Sequence, residues 1–319
     1  MAETPNRGLS ESIKAKLLLI TLALAWGINW PANKVAVAEI NPWTFRVIGL
    51  AVGAMLMIVL VKLRGRSLML PSRRAMLHVA VAGMFNVGIF SLSSTFALQD
   101  SGASRVVILV YTMPIWTSLM ARLLLGEKLT PLRLTSLAFC AAGLAVLLAP
   151  NLPLPSGLWY ALITAWCWAA GTVYMKWANV EADAMTIAAW QIIVGWIAIA
   201  IGTVVLGEPW YVWPLQPVTI VAWLYAAFVG VGLAYFMWFI VLERLPATTA
   251  SLASLLIPVV GVGASALLLG EHPTLNDTTG FVLIFAAAAC AILQPTRKLA
   301  AARAEGCIHS SKSCLPLGG

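Results

Sequence analysis

Four residues of the first apolar stretch, Trp26, Asn29, Trp30 and Asn33, stand at i, i+3, i+4 and i+7 and so share one face of a helix. Two indoles and two primary amides on one face can stack a flat ring and hydrogen-bond an ammonium or a carboxylate. Pro31, between them, loosens the backbone hydrogen bonding of the same turn. The same amides would equally well tie this helix to a neighbour inside a bilayer. Asn86, Tyr111, Trp168, Gln191, Tyr235 and Trp238 also lie in the middle of apolar stretches. Polar groups there are costly and need partners, so with the first four they form the candidate substrate-binding set.

Other chemistries lack their residues. The histidines are His78, His272 and His309, far apart in sequence, and there is no H-E-x-x-H, phosphate-binding loop or Cys–His pairing. No catalytic residue, metal ligand or cofactor is assigned. Cys140, Cys167 and Cys290 lie in apolar runs, where cysteine behaves as a small hydrophobe. The 12 Asp and Glu fall in tails, loops or the ends of apolar stretches. With no carboxylate at mid-depth, proton exchange through a carboxylate is disfavoured, and a neutral or zwitterionic small molecule is the expected substrate. A channel would need rings of charge or carbonyls instead.

These residues must be positioned by membrane helices. Of 319 residues, 61% are hydrophobic and 10% charged, with mean hydropathy +0.91. So few charges could not cover a water-soluble surface. A helix needs about 20 apolar residues to cross the hydrocarbon layer. Ten stretches qualify: 14–35, 42–61, 75–98, 103–125, 131–149, 156–178, 184–206, 217–242, 247–269 and 276–294. The expected class is an all-α membrane protein. Placing both termini in the cytoplasm puts 17 of the 20 Lys and Arg on that side, leaving Lys34, Arg46 and Arg105 opposite. The net charge of +8 is therefore read as a topology signal, not a nucleic-acid surface. Trp43, Trp159, Tyr160, Trp210, Tyr211 and Trp213 are read as interfacial anchors. Gly49 and Gly53 form a G-x-x-x-G that could pack helices within or between protomers, so a monomer and a homo-oligomer both stay open.

The chain also repeats itself. The letters LLLGE occur at 123–127 and at 267–271, the glycine of each standing 12 residues after a proline, Pro114 or Pro258. A shift of 144 superposes Leu98, Ala103, Pro114, the LLLGE run and Thr130 on identical residues. A shift of 142 superposes Trp26 on Trp168, Lys34 on Lys176 and Thr44 on Thr186. Residues 1–150 and 151–298 thus read as two five-helix repeats, with 299–319 as a cytoplasmic tail. Since five is odd, the second repeat is expected to be inverted, the construction of many secondary transporters. Pro114 and Pro258 are expected to kink their helices near midplane and serve as hinges. LLLGE itself reads as a helix stop, with glycine at the end and glutamate at the water boundary.

Ten spans, the five-plus-five duplication, the WGIN of residues 26–29 and the P…LLLGE endings resemble the EamA type of the drug/metabolite transporter superfamily over about residues 14–295. The chain is further similar to the bacterial aromatic amino-acid exporters of that superfamily. The resemblance implies a multi-pass protein of the bacterial inner membrane that exports aromatic and other neutral amino acids by alternating access. An exporter of another small neutral metabolite or drug, coupled to protons, is the alternative. The small four-span multidrug relatives use an intramembrane glutamate, and this chain departs from that pattern.

Overall fold

The structure is a computed structural model that describes residues 6–127, 130–151, 153–210, 212–244 and 255–292. Those residues form helices α1 (Asn6–Val37), α2 (Pro42–Leu63), α3 (Arg73–Asp100), α4 (Ala103–Leu125) and α5 (Pro131–Leu148). They continue as α6 (Ser156–Ala178), α7 (Ala184–Val205), α8 (217–244), α9 (Leu256–Leu269) and α10 (Leu275–Ile292). No strand occurs among the described residues. Five helices, α2, α3, α4, α5 and α7, are long and apolar enough to cross a bilayer, and shorter apolar helices follow at Pro217–Leu233, Leu256–Leu269 and Leu275–Cys290. The expected start of the ninth span at 247 and the expected tail at 299–319 lie outside the described residues.

Local chemistry sets the helix ends. Asn41 accepts the Trp43 N–H at 2.9 Å, and Asp183, 142 residues later, accepts the Met185 N–H at 3.1 Å. Both are side-chain caps on otherwise unsatisfied first-turn donors. At the other ends, Gly126 and Gly270 both adopt φ +66°, the left-handed conformation that only glycine takes without strain. The two LLLGE runs are therefore helix stops. Their glutamates also make specific contacts. Glu271 accepts the backbone N–H groups of Ala103 (2.7 Å) and Ser104 (2.9 Å), so the end of α9 caps the start of α4. Glu127 is bonded by Lys176 and, at 2.9 Å, by Arg133.

The helices pack chiefly across the two halves of the chain, α1 on α9 and α8, α6 on α4 and α3, α2 on α7, and α5 on α10. The Thr44 hydroxyl, at the start of α2, donates to the carbonyl of Pro209 beyond the end of α7. The Thr186 hydroxyl, at the start of α7, donates to the carbonyl of Ser67 beyond the end of α2, at 2.7 Å. These two helices therefore run antiparallel. Gly53 on α2 meets Val231 on α8, and Gly195 on α7 meets Val87 on α3, each so closely that a Cβ would fall 2.5 or 2.6 Å from the valine methyl. Gly53 is thus used inside the protomer, while Gly49 has open space around it.

α1 runs unbroken through Pro31. Two sequence expectations are altered. α4 is interrupted at Tyr111–Thr112, ahead of Pro114, which sits in the first turn of the segment Met113–Leu125. Pro258 likewise lies in the first turn of α9, so both prolines start a helical segment where their missing N–H costs nothing. Trp43 and Tyr160 do not point outward as anchors. Trp43 packs on Gly202 and edge-on to Phe96 (6.5 Å), and Tyr160 stacks on the same Phe96 at 5.3 Å. Trp159, Trp210 and Trp213 are the exposed members of that set, and Tyr211 lies outside the described residues.

Candidate substrate-binding site

Two π-helical turns mark the middle of the bundle, Met84–Ile89 in α3 and Tyr225–Leu233 in α8. A π-turn frees backbone carbonyls from the i→i+4 ladder and is frequent at functional sites. Asn86 lies in the first and Gly230 in the second, each about 20 Å from either end of its helix.

The two turns face matching partners on the helices that cross them. Asn29 of α1 lies on Gly230 of α8, and Asn86 of α3 lies on Gly171 of α6. A Cβ at Gly230 would fall 2.2 Å from Asn29 Oδ1, and one at Gly171 would fall 2.1 Å from Asn86 Oδ1. Asn29 and Gly171 are 142 apart, Asn86 and Gly230 are 144 apart. The two crossings are therefore equivalent under the sequence repeat, with asparagine and glycine exchanged. A side chain at either glycine would force the asparagine amide to move, because the amide occupies that space.

The surroundings differ. At the α1–α8 crossing Trp26 donates its indole N–H to the Gly230 carbonyl at 3.1 Å and packs on Tyr235 (5.9 Å, edge-on) and Trp238 (5.7 Å). Tyr225 donates to the Ala25 carbonyl at 3.1 Å. Trp30 leans away, toward Gly261 of α9 and the buried cluster of Val107 and Tyr111 at the α4 interruption. At the other crossing Asn86 donates to Gln191 Oε1 of α7 at 3.3 Å, and Trp168 lies 5.0 Å from Phe90. Tyr235 joins the two, because it also packs on the cluster that holds Val87 and Ile192.

The ten candidates thus separate into an aromatic group (Trp26, Asn29, Trp30, Tyr111, Tyr235, Trp238) and an amide group (Asn86, Trp168, Gln191). Asn33 is buried, 4% exposed, on the same side of α1. The side-chain oxygens of Asn29, Asn33 and Asn86 are buried and have no hydrogen-bond partner among the described residues. Each such acceptor costs about 1–3 kcal/mol, and a ligand carrying N–H donors would relieve it. Sequence reasoning missed Gly230 and Tyr225; the run VGVG at 229–232 was the available signal, since small residues mark close helix crossings. It also missed Arg46, which it placed at a span boundary as a topology charge.

Long apolar helices with unpaired amide oxygens and indole rings at their centre define a polytopic membrane protein with a partly polar interior. The model of the EamA-like transporter family matches this chain twice, over residues 13–149 and 155–293, and the chain belongs to that family, within the drug/metabolite transporter superfamily. It is 24% identical over 278 residues to an uncharacterized transporter, YoaV, of Bacillus subtilis, covering 85% of this chain and 94% of that one. It is 23% identical over 292 residues to a "probable amino-acid metabolite efflux pump" of Escherichia coli, covering 86% and 93%. A solved crystal structure superposes with a TM-score of 0.60 at 22% identity, covering 87% of this chain and 96% of that chain, which supports the fold.

Proposed function

We propose that this transporter carries amino acids, aromatic and other neutral ones, out of the cytoplasm by alternating access, as a facilitated flow across the bacterial inner membrane. The carrying observation is the exchanged Asn–Gly pair at the two π-turns, with unpartnered amide oxygens flanked by indole and phenol rings. Carbonyl oxygens suit an ammonium, and aromatic faces suit both a ring and a cation. The name of the Escherichia coli relative agrees with this substrate class.

The mechanism we infer uses two inverted repeats, residues 1–150 and 151–298, with both termini cytoplasmic. The antiparallel run of α2 and α7 and the double family match support that reading. If the halves exchange conformations, the crossing that is tight on one side opens on the other. The interruption at Tyr111–Thr112 and the prolines Pro114 and Pro258 are the proposed places of bending.

The test uses purified protein in liposomes preloaded with one unlabelled amino acid, with labelled uptake followed in the absence of any ion gradient. Saturable exchange of phenylalanine, tryptophan or threonine is expected. Exchange that starts only with a proton gradient would replace the facilitator by a coupled carrier, and no exchange under either condition would sink the amino-acid reading. Trp26→Ala, Asn29→Ala and Asn33→Ala should each abolish flux while membrane insertion is kept.

A further inference from the structure

Arg46, on the second turn of α2, has no acidic partner among the described residues. Its Nε donates to Thr95 Oγ1 and its Nη2 to Ser94 Oγ at 3.1 Å, both on α3. Those hydroxyls direct their own hydrogens elsewhere, both to the Ser91 carbonyl, at 2.8 Å from Ser94 and 2.7 Å from Thr95. They therefore present lone pairs to the guanidinium. The Phe45 ring lies 5.0 Å from its central carbon. The acidic side chains on the nearby loops are engaged elsewhere: Glu208 accepts from Asn41 at 3.0 Å, and Glu39 accepts the Gln216 N–H at 2.9 Å. Thr95 and Ser94 are 0% and 2% exposed, whereas Arg46 itself is only partly buried.

A guanidinium cannot shed its charge, and keeping one among apolar helices with hydroxyls alone is unfavourable for the fold. Its Nε and one Nη2 hydrogen are fixed by the two hydroxyls, which locks its plane and leaves the Nη1 hydrogens and the second Nη2 hydrogen unspent. That free edge is the fork that matches a carboxylate with two parallel hydrogen bonds. Trp43, three residues before Arg46 and so on the same side of α2, packs on Phe96, which also stacks on Tyr160, so aromatic rings lie one helical turn from Arg46.

We propose that Arg46, held by Ser94 and Thr95, is a carboxylate-binding station for the transported molecule, separate from the amides at the π-turns. This rests on the amino-acid reading above. Thr95 is nine residues along α3 from Asn86, about 14 Å. One α-amino acid cannot span that distance with its ammonium and carboxylate, so the substrate engages the two places in succession. The second half holds Ala188 at the position 142 residues after Arg46, so the station exists at one end of the bundle only. That asymmetry makes the two ends of the path differ where the paired crossings are alike.

The experiment compares wild type, Arg46→Gln and Arg46→Lys in liposomes with labelled L-phenylalanine and with L-phenylalaninamide, which keeps the ring and ammonium but has no carboxylate. Arg46→Gln should raise the half-saturating concentration for phenylalanine about tenfold or more, the loss of a charge-assisted pair. Phenylalaninamide should move by less than about twofold, since it never used the fork. Arg46→Lys, which keeps the charge without the fork and serves if Arg46→Gln does not fold, should fall between. Equal changes for both solutes, or none for either, would overturn the station while leaving amino-acid transport standing. If wild type exchanges no amino acid, quenching of tryptophan fluorescence by phenylacetate decides alone. Quenching that is lost in Arg46→Gln supports the station without the proposed function. No quenching, with phospholipid stripped from the purified variant, would make Arg46 a lipid-phosphate contact and overturn it.

Discussion

The α1–α8 crossing and the α3–α6 crossing are the same contact built twice, yet they are furnished differently. At the first, Asn29 sits on Gly230 inside a cage of Trp26, Tyr235 and Trp238. At the second, Asn86 sits on Gly171 and is held by a second amide, Gln191. The packing element, one asparagine against one glycine, is common to both and has merely changed helices. What differs is the lining. Under the exchange of conformations proposed above, the two halves have to keep equivalent crossings, whereas one asymmetric solute has no reason to meet equivalent walls.

Breaking one crossing sterically should have the largest effect. Gly230→Asn alone puts a side chain where Asn29 Oδ1 already lies, and overpacking of this kind costs about 1–3 kcal/mol or more. The expected result is loss of flux and a lower thermal midpoint in detergent. Combining it with Asn29→Gly copies the arrangement of the other crossing and should restore the midpoint. A double variant as unstable as the single one would mean the two crossings are not interchangeable. Next, because stability is kept, Asn29→Ala should abolish flux and Asn86→Ala lower it strongly, each with little change in midpoint, since each removes an acceptor that has no partner among the described residues. Gln191→Leu should be milder. It removes the bond to Asn86 but leaves the glycine contact, so the half-saturating concentration should rise while the maximal rate persists.

The smallest effect is expected far from both crossings, at Glu127. The hydrogen bond from Lys176, and then that from Arg133, hold its carboxyl below the usual carboxylate range. A depressed folded-state pKa means that the stabilisation is present above the unfolded value and is lost as pH falls through the folded one. Thermal midpoints taken downward from pH 6 should therefore drop less steeply in Glu127→Gln than in wild type. An equal slope would show that the exposed Lys176 contact contributes nothing.

The helices themselves were legible in the sequence, because apolar length and punctuation carry that information directly. Residues 103–125 and 156–178 were delimited correctly from Pro, Gly and charge alone, and LLLGE was read as a stop for the reason the structure bears out, a left-handed glycine. The π-turns were not legible, since one extra residue per turn leaves hydropathy unchanged. The residues of the α1 face do pack inside the bundle, but their division between α8 and α9 was not legible, because spacing says which residues share a face and not what covers it. Trp43 and Tyr160 were misread because an aromatic near a helix end packs inward or outward according to a partner, here Phe96, distant in sequence. Arg46 was hidden by the same rule that oriented the chain, which counts a cation and does not ask what faces it.

The threonine bonds that lace α2 to α7 also bear on how the protein is made. Thr44 finds its acceptor 165 residues downstream, and Ser136 of α5 donates to the carbonyl of Ala287, 151 residues downstream, at 2.6 Å. Helices released early from the ribosome therefore wait in lipid for partners not yet synthesised. The halves are interleaved, not laid side by side, so late-forming, long-range pairing governs assembly. A chain stopped at residue 150 would carry the buried faces of α1, α2 and α5 with nothing to cover them, a substrate for quality-control proteases and not half a transporter.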